Sequence, residues 1–400
     1  MKSTFQKRIN LFVTNNLIGA VRFALAVALT ATLFIGSAAA ETYSLTTRVK
    51  PGEAGAGGLP SGKTYCDLTS SDTVNVTAAN AQLYFNGVDS ATLNCNINIS
   101  GNAYGSEKTG KFRMQMAASA PVNLNGTVTL AGNTTIGSHN WSSNQGYLYF
   151  NGQITGAGSL IVAPGYLSQV HLSNTNSVNN YQGNTQIGSS GCYNNSSVTT
   201  YAGTIVLDAD EQIPDVLTAG TTSTGKLVMY SWEDASNRLT STFDLNGHTE
   251  TINGIVCSDN LSVITGGSGS TLRVGADNSS STFTGKVQSG VQLVKIGSGT
   301  LTLSGENSHY GGTVLSGGTL EIASSSALGS GSIVYYGDAT LKVNIPNPVI
   351  NNHVLVNLGS VGAIDTNGQN VTMTGYMEGN GRLVKVGAGT LTLQTTCSVD

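Results

Sequence analysis

A right-handed parallel β-helix, all-β, is the fold that this 400-residue sequence predicts. A long repeat, a short alternating motif within it and a glycine-rich punctuation predict it together. The line Leu293-Val-Lys-Ile-Gly-Ser-Gly-Thr-Leu-Thr-Leu303 returns as Leu383-Val-Lys-Val-Gly-Ala-Gly-Thr-Leu-Thr-Leu393, identical at nine of eleven positions. Self-similarity of this kind marks a chain built by stacking small units rather than by wrapping one irregular core.

The short motif is Gly-Thr, an apolar residue, any residue, then a second apolar residue. It occurs at Gly126–Leu130, Gly203–Leu207, Gly299–Leu303, Gly318–Ile322 and Gly389–Leu393. Relaxed copies with Ser or Ala first begin at Ala91, Ser270 and Ala339. Each reads as a turn residue followed by apolar/polar alternation, the pattern of a short strand with one buried face. Starts at 270, 299, 318 and 339 lie 29, 19 and 21 residues apart, which suits one winding of a solenoid.

Turns are marked by Asn-Gly pairs at Asn86-Gly87, Asn151-Gly152, Asn246-Gly247 and Asn367-Gly368. This pair takes positive φ more readily than any other. Fifty-one glycines against seven prolines fit many corners joining hydrogen-bonded strands, because proline removes ladder donors. Charged residues are only 10% of the chain and hydrophobic ones 39%, in alternating runs, which opposes a disordered low-complexity reading.

Residues 1–40 read as a secretion signal. Lys2, Lys7, Arg8 and Arg22 precede or flank the apolar run Phe23–Ile35, and Ala38-Ala39-Ala40 forms a small-x-small cleavage site before Glu41. Its removal leaves 360 residues with 14 basic against 22 acidic side chains, a net charge of −8. That balance argues against nucleic acid or anionic lipid as the main partner. At ~20–25 residues per coil the remainder gives roughly fifteen coils, each rising ~4.8 Å, for a rod of about 70 Å. The expected division is a signal peptide at 1–40, a Gly-rich linker at 41–62, a degenerate β-solenoid region at 63–290 and regular repeats at 291–400, the last truncated.

Five cysteines (Cys66, Cys95, Cys192, Cys257, Cys397) are an odd set in an exported chain. One or two disulfides fit an oxidising compartment, with Cys66 and Cys95 nearest in sequence and Cys397 the expected leftover thiol, but spacing alone does not fix pairing. No zinc-ligand pattern is present.

Gly297-x-Gly-Thr-Leu-Thr-Leu-Ser-Gly-x-Asn307, followed by Tyr310–Ile322 and Ala327-Leu-Gly-Ser-Gly331, resembles the autotransporter-associated β-strand repeat. A degenerate copy is expected at Leu172–Ile187 and a truncated one at Gly381–Leu393. The resemblance implies a β-helical passenger exported by the Sec machinery and displayed on, or released from, the surface of a Gram-negative-type bacterium. It further implies an outer-membrane β-barrel partner, a host or glycan surface ligand, and a repeat without catalytic residues. Such proteins end in a membrane barrel and none is found here. Either the sequence is incomplete or a separate device displays the chain.

Three chemical readings compete with a structural one. Gly57-Gly-Leu-Pro-Ser-Gly-Lys-Thr64 matches a phosphate loop letter for letter, but a Gly-rich polar stretch precedes it and an alternating, strand-like stretch follows. Gly266–Leu272 echoes a calcium-binding solenoid repeat, with Ser270 where the liganding Asp belongs. Asp208, Asp210, Glu211 and Asp215 form the densest acidic cluster. The 208/210 spacing would place two carboxylates on one strand face for glycoside hydrolysis. With no basic partner nearby in sequence, the cluster reads as an acidic loop at a strand end. The histidines (His139, His171, His248, His309, His353) read as solvated turn residues, His309 as structural. Trp141, Tyr147, Tyr149, Phe150, Tyr166, Tyr181 and Tyr193 crowd one window, where outward rings would suit sugar stacking and inward ones would fill the core. The sequence therefore assigns no catalytic, cofactor-binding or metal-ligating residue. It predicts an exported, non-catalytic structural or adhesive rod, with a polysaccharide-acting enzyme or carbohydrate-binding β-helix as the alternative.

Overall fold

The computed structural model describes residues 40–398 apart from 46–47, 50–54, 56–58, 80, 88–89, 102–111, 117–120, 139–145, 164–168, 195–196, 218–224, 234–237 and 395–396. The signal segment lies outside the described residues.

Parallel pairing builds the solenoid. A first sheet of 18 strands runs its length, a second of eight strands spans Ala91–Leu93 to Lys286–Val287, and a third of eight spans Thr249–Ile252 to Cys397–Ser398. From Thr242 to Leu303 the chain visits second, third and first sheets in turn. Towards the end a three-stranded sheet (Val349–Ile350, Asn370–Met373, Thr390–Leu393) takes the step between the first and third. The long strand Val128–Ser138 joins two ladders of the first sheet, pairing with Ile97–Ile99 at one end and Phe112–Met114 at the other.

The alternation read in the sequence becomes columns of like residues. Val122, Leu148, Val170, Ile205, Phe243, Ile264 and Val287 stack in register on the second sheet. Leu301, Leu320, Leu341 and Ile364 do so on the first. All of them are buried, and each such apolar side chain contributes roughly 1.5–3 kcal/mol by leaving water. Polar corners stack too: Asn151 donates to Asn125 and Asn125 to Asn94, each at 2.9 Å.

The coils are less uniform than a 20–25-residue winding. Contacts between successive coils span 20 residues at Thr300 on Ser280, but 42 at Lys226 on Asn184. Two antiparallel hairpins lengthen those between residues 171 and 254: Ser189–Asn194 with Ser197–Tyr201, and Trp232–Glu233 with Arg238–Leu239. The chain therefore makes fewer coils than its length divided by a uniform winding. Thr42–Ser44 pairs with Thr73–Asn75, so the ladder already includes residues of the 41–62 stretch.

Asn246-Gly247 and Asn367-Gly368 take the expected positive φ, at 48° and 90° and at 49° and 83°. Asn151-Gly152 does not; Gly152 is required there because an added Cβ would lie 2.1 Å from the Gly126 carbonyl oxygen of the coil beneath.

Candidate functional site

The outward face of the second sheet gathers the residues with the most chemistry. In the strand Tyr147–Phe150, Leu148 and Phe150 are buried and the two tyrosines point out. The next strand, Gln169–Leu172, sets His171 beside Tyr149, with ring centroids 4.3 Å apart at 26°. His171 Nδ1 lies 2.9 Å from Asp208 Oδ2, and Ser173 Oγ donates to the same oxygen at 2.8 Å. Gln169 Oε1 sits 3.3 Å from His171 Nε2, and Asn246 Nδ2 reaches Asp208 Oδ1 at 3.4 Å.

Sequence distance hid these partners. The basic groups that seemed missing from the acidic cluster arrive from coils 37 and 38 residues away: His171 at Asp208 and His248 Nδ1 at Asp210, 3.0 Å apart. His171 is a strand residue rather than a solvated turn residue. The strand Thr204–Leu207 ends before Asp208, so Asp208 and Asp210 do not share a strand face. Ser173 donates to Asp208 and not to His171, so the hydroxyl-to-imidazole contact of a serine nucleophile is not made.

The other carboxylates hold the loop 208–216 on the next coil. Asp210 also accepts from Thr249 N at 2.9 Å. Glu211, at φ 52°, accepts from Thr251 N and Oγ1, both at 2.9 Å, and burial raises its carboxyl above the ordinary value. Glu250 is fully buried and accepts from Gln212 N at 2.8 Å and Ile213 N at 3.0 Å; burial drives its carboxyl well above the usual range. Asp215, also buried, accepts from Leu217 N. Between this loop and Asn174–Val178 of the preceding coil lies an open groove of about 440 Å³, with Asp210 and Glu211 on its wall.

The remaining candidates resolve into structural parts. After Gly62-Lys63-Thr64 comes only a three-residue 3-10 turn, Tyr65–Asp67, in which Asp67 accepts from Thr64 N at 2.7 Å, so no helix follows to hold a phosphate. Ser270 is buried and accepts from Gly247 N at 2.9 Å. Among the described residues no three His, Cys, Asp or Glu side chains gather closely enough to hold a metal. Cys95 and Cys257 are buried thiols, and burial, the largest influence, lifts Cys95 to about 11 and raises Cys257 and the half-buried Cys66. The side chains of Cys192 and Cys397 lie outside the described ones.

The long repeat builds a corner rather than a coil. Its first copy joins the third sheet (Gln292–Lys295) to the first (Thr300–Leu303). Its second joins the first sheet (Arg382–Val386) to the three-stranded sheet (Thr390–Leu393). In both, the lysine closes the turn: Lys295 Nζ donates to Ile296 O and Gly297 O, and Lys385 Nζ to Val386 O and Gly387 O. Lys295 adds Gly317 O of the next coil at 3.3 Å. Asn307, just after the first copy, accepts from Val287 N at 2.8 Å and donates to Ala327 O at 2.6 Å, joining three coils.

The passenger-associated-transport-repeat family matches residues 293–322, which hold this corner, Asn307 and the strand that follows. A stretch of 146 residues, 35% of the chain, is 38% identical to the adhesin BmaC autotransporter of Brucella suis biovar 1 (strain 1330). Over these residues the chain is similar to autotransporter passenger-type repeat proteins. That matched stretch spans 4% of the length of the curated relative. No solved structure matches the chain.

The degenerate copy at 172–187 keeps the repeat's internal wiring. Asn179 accepts from Ile154 N at 2.8 Å and donates to Gln212 O at 2.8 Å, as Asn307 does between its own neighbours. Two residues on, Tyr181 bonds Thr185 through its hydroxyl, and His309 Nε2 bonds Thr313 Oγ1 at 3.1 Å. His309 and Tyr181 are both fully buried. Burial lowers His309 to about 4, so it is neutral at ordinary pH.

Proposed function

We propose that this chain is an exported, non-catalytic rod, displayed at or released from the surface of a Gram-negative-type bacterium, that spaces and presents adhesive contacts. The observation that carries this reading is the likeness to an autotransporter adhesin, borne on a parallel solenoid whose ladder runs from Thr42 to Ser398. Stacked strands commit backbone donors and acceptors to neighbouring coils, which keeps a thin rod folded and shields its backbone from proteases. Chemistry at the acidic cluster has no support from geometry, because its carboxylates are engaged with histidines, backbone amides and hydroxyls of adjacent coils. Sec export, a barrel translocator in the outer membrane and a division into 1–40, 41–62, 63–290 and 291–400 belong to the same proposal.

The test is to join the chain to a translocator barrel in a non-adherent Gram-negative host and count bacteria bound to epithelial cells. Surface labelling together with adherence above the barrel alone is the expected result. Labelling without any gain in adherence would remove the adhesive role, and failure to reach the surface would remove the passenger role.

A further inference from the structure

Both antiparallel hairpins leave the solenoid at one corner, on successive coils. The first lies between Thr185–Ile187 of the first sheet and Thr204–Leu207 of the second. The second lies between Leu227–Met229 of the first sheet and Thr242–Asp244 of the second. Regular coils need only 20 residues from one contact to the next. The hairpins thus add chain, and its ordering entropy, without extending the ladder.

We propose that the outward face of the second sheet, from this hairpin corner to the groove at Asn174–Val178, binds a neutral polysaccharide laid along the solenoid axis. The proposal rests on the adhesive reading above and names its class of ligand. Three observations support it.

The first is placement. The hairpins spring from the edge where the column Tyr147, Gln169, Thr204 and Thr242 begins. The second column, Tyr149, His171, Val206 and Asp244, lies two residues further along the same strands. The hairpin corner at one end of these strands and the groove at the other therefore flank the face that carries the tyrosines.

The second is chemistry. The outward positions of these strands include Tyr147, Tyr149, Gln169, Thr204 and Thr242, which offer rings, an amide and hydroxyls. Hydroxyls and amides both donate and accept, which suits sugar hydroxyls. Tyrosine supplies an apolar ring with a polar tip. Asp208 and Asp210, on a chain with formal net charge −4, disfavour an acidic polymer.

The third is rigidity and period. Tyr149 is held against His171, and His171 by Asp208, so the polar edge is ordered before any ligand arrives. Coils recur every ~4.8 Å, so a linear polymer meets successive rows of contacts.

The experiment titrates the full chain by calorimetry with cellohexaose and chitohexaose as neutral probes and a hyaluronan hexasaccharide as the acidic one. A neutral hexamer should bind, with Tyr149→Ala and Gln169→Ala each weakening it about tenfold. Tyr336→Ser, at a tyrosine 71% exposed beyond the third sheet, should leave affinity unchanged. Should Tyr149→Ala not fold, Gln169→Ala decides, since it leaves the stacked pair in place. The inference is overturned if no neutral hexamer binds, if hyaluronan binds more tightly, or if Tyr336→Ser weakens binding as much as Tyr149→Ala. Adherence separates the two readings. A displayed chain that adheres through host proteins, losing adherence to protease but not to glycosidase treatment, overturns this inference and leaves the adhesive reading standing. A displayed chain that binds the hexamer without adhering overturns the adhesive reading alone.

Discussion

His171 and Asp208 stand 37 residues apart in the chain and 2.9 Å apart in space, Nδ1 to Oδ2, on neighbouring coils. Their side chains are 12% and 27% exposed, so the contact is partly withdrawn from water. Ser173 and Asn246 add bonds to the same carboxylate from either side. The Asp208 carboxylate thus joins three coils at the edge of the proposed binding face.

A double-mutant cycle measures this link. Asp208→Ala should lower unfolding free energy by about 1.5–3 kcal/mol, the range for hydrogen bonds to a charged group. His171→Ala alone should cost less, and the pair should couple by about 1 kcal/mol in urea titrations. Strict additivity would show that the contact contributes nothing to folding.

The same link explains what was legible in the sequence. Alternation alone shows that one of the pairs Tyr147/Tyr149 and Leu148/Phe150 is core, the structure deciding for the second, and Asn246-Gly247 is read as a turn by its backbone preference, because both signals are local. The His171–Asp208 and His248–Asp210 pairs are not local. Their separations depend on hairpins 189–201 and 232–239, whose lengths interrupt the short period seen at 299, 318 and 339. With the winding length unknown there, no spacing rule pairs residue 171 with 208. The eleven-residue repeat misleads in another way, since it is a strand, a lysine-closed turn and a strand that serve at two different corners of the coil.

That turn makes its own prediction. Lys295 is 1% exposed, and burial lowers its ammonium to about 8 from the ordinary 10.5. Between those values the unfolded chain binds the proton that the folded chain has released, so this group makes stability rise with pH from about 8 to 10.5. Lys295→Met should remove that rise, visible as a flatter difference in melting temperature from pH 8 to 10. The variant also leaves three carbonyls without their donor, so it should melt lower at pH 10. An unchanged pH slope would mean that the ammonium is not held as a buried group.

Asn307 tests whether the repeat's asparagine ties coils together. Asn307→Ala orphans the Val287 amide and the Ala327 carbonyl, both inside the stack. At about 1–3 kcal/mol for each buried unsatisfied group, the loss should reach a few kcal/mol. Asn307→Asp keeps the acceptor for Val287 and loses only the donor, so it should fall between wild type and Ala. Equal melting of all three would show that water replaces the side chain at no cost.

His309 gives the opposite pH dependence from Lys295. Burial lowers it from 6.5 to about 4, so it folds neutral while the unfolded chain takes up a proton as pH falls. Stability from this group is whole above about 6.5 and is lost progressively down to about 4. The full loss is about 3 kcal/mol at 1.36 kcal/mol per unit. Tyr181 occupies the equivalent place with the same hydroxyl partner four residues on, and it does not titrate in this range. His309→Tyr should therefore keep the bond to Thr313 and lose the acid sensitivity, with melting temperatures that diverge from wild type only below pH 6.5. If the larger ring disturbs packing against Gly329, the two curves will be offset at pH 7, yet their divergence on acidification should persist. Parallel curves from pH 7 to 4 would show that His309 is not the acid-sensitive group; the raised carboxyls of Glu211 and Glu250 act in the opposite sense, favouring the fold as pH falls.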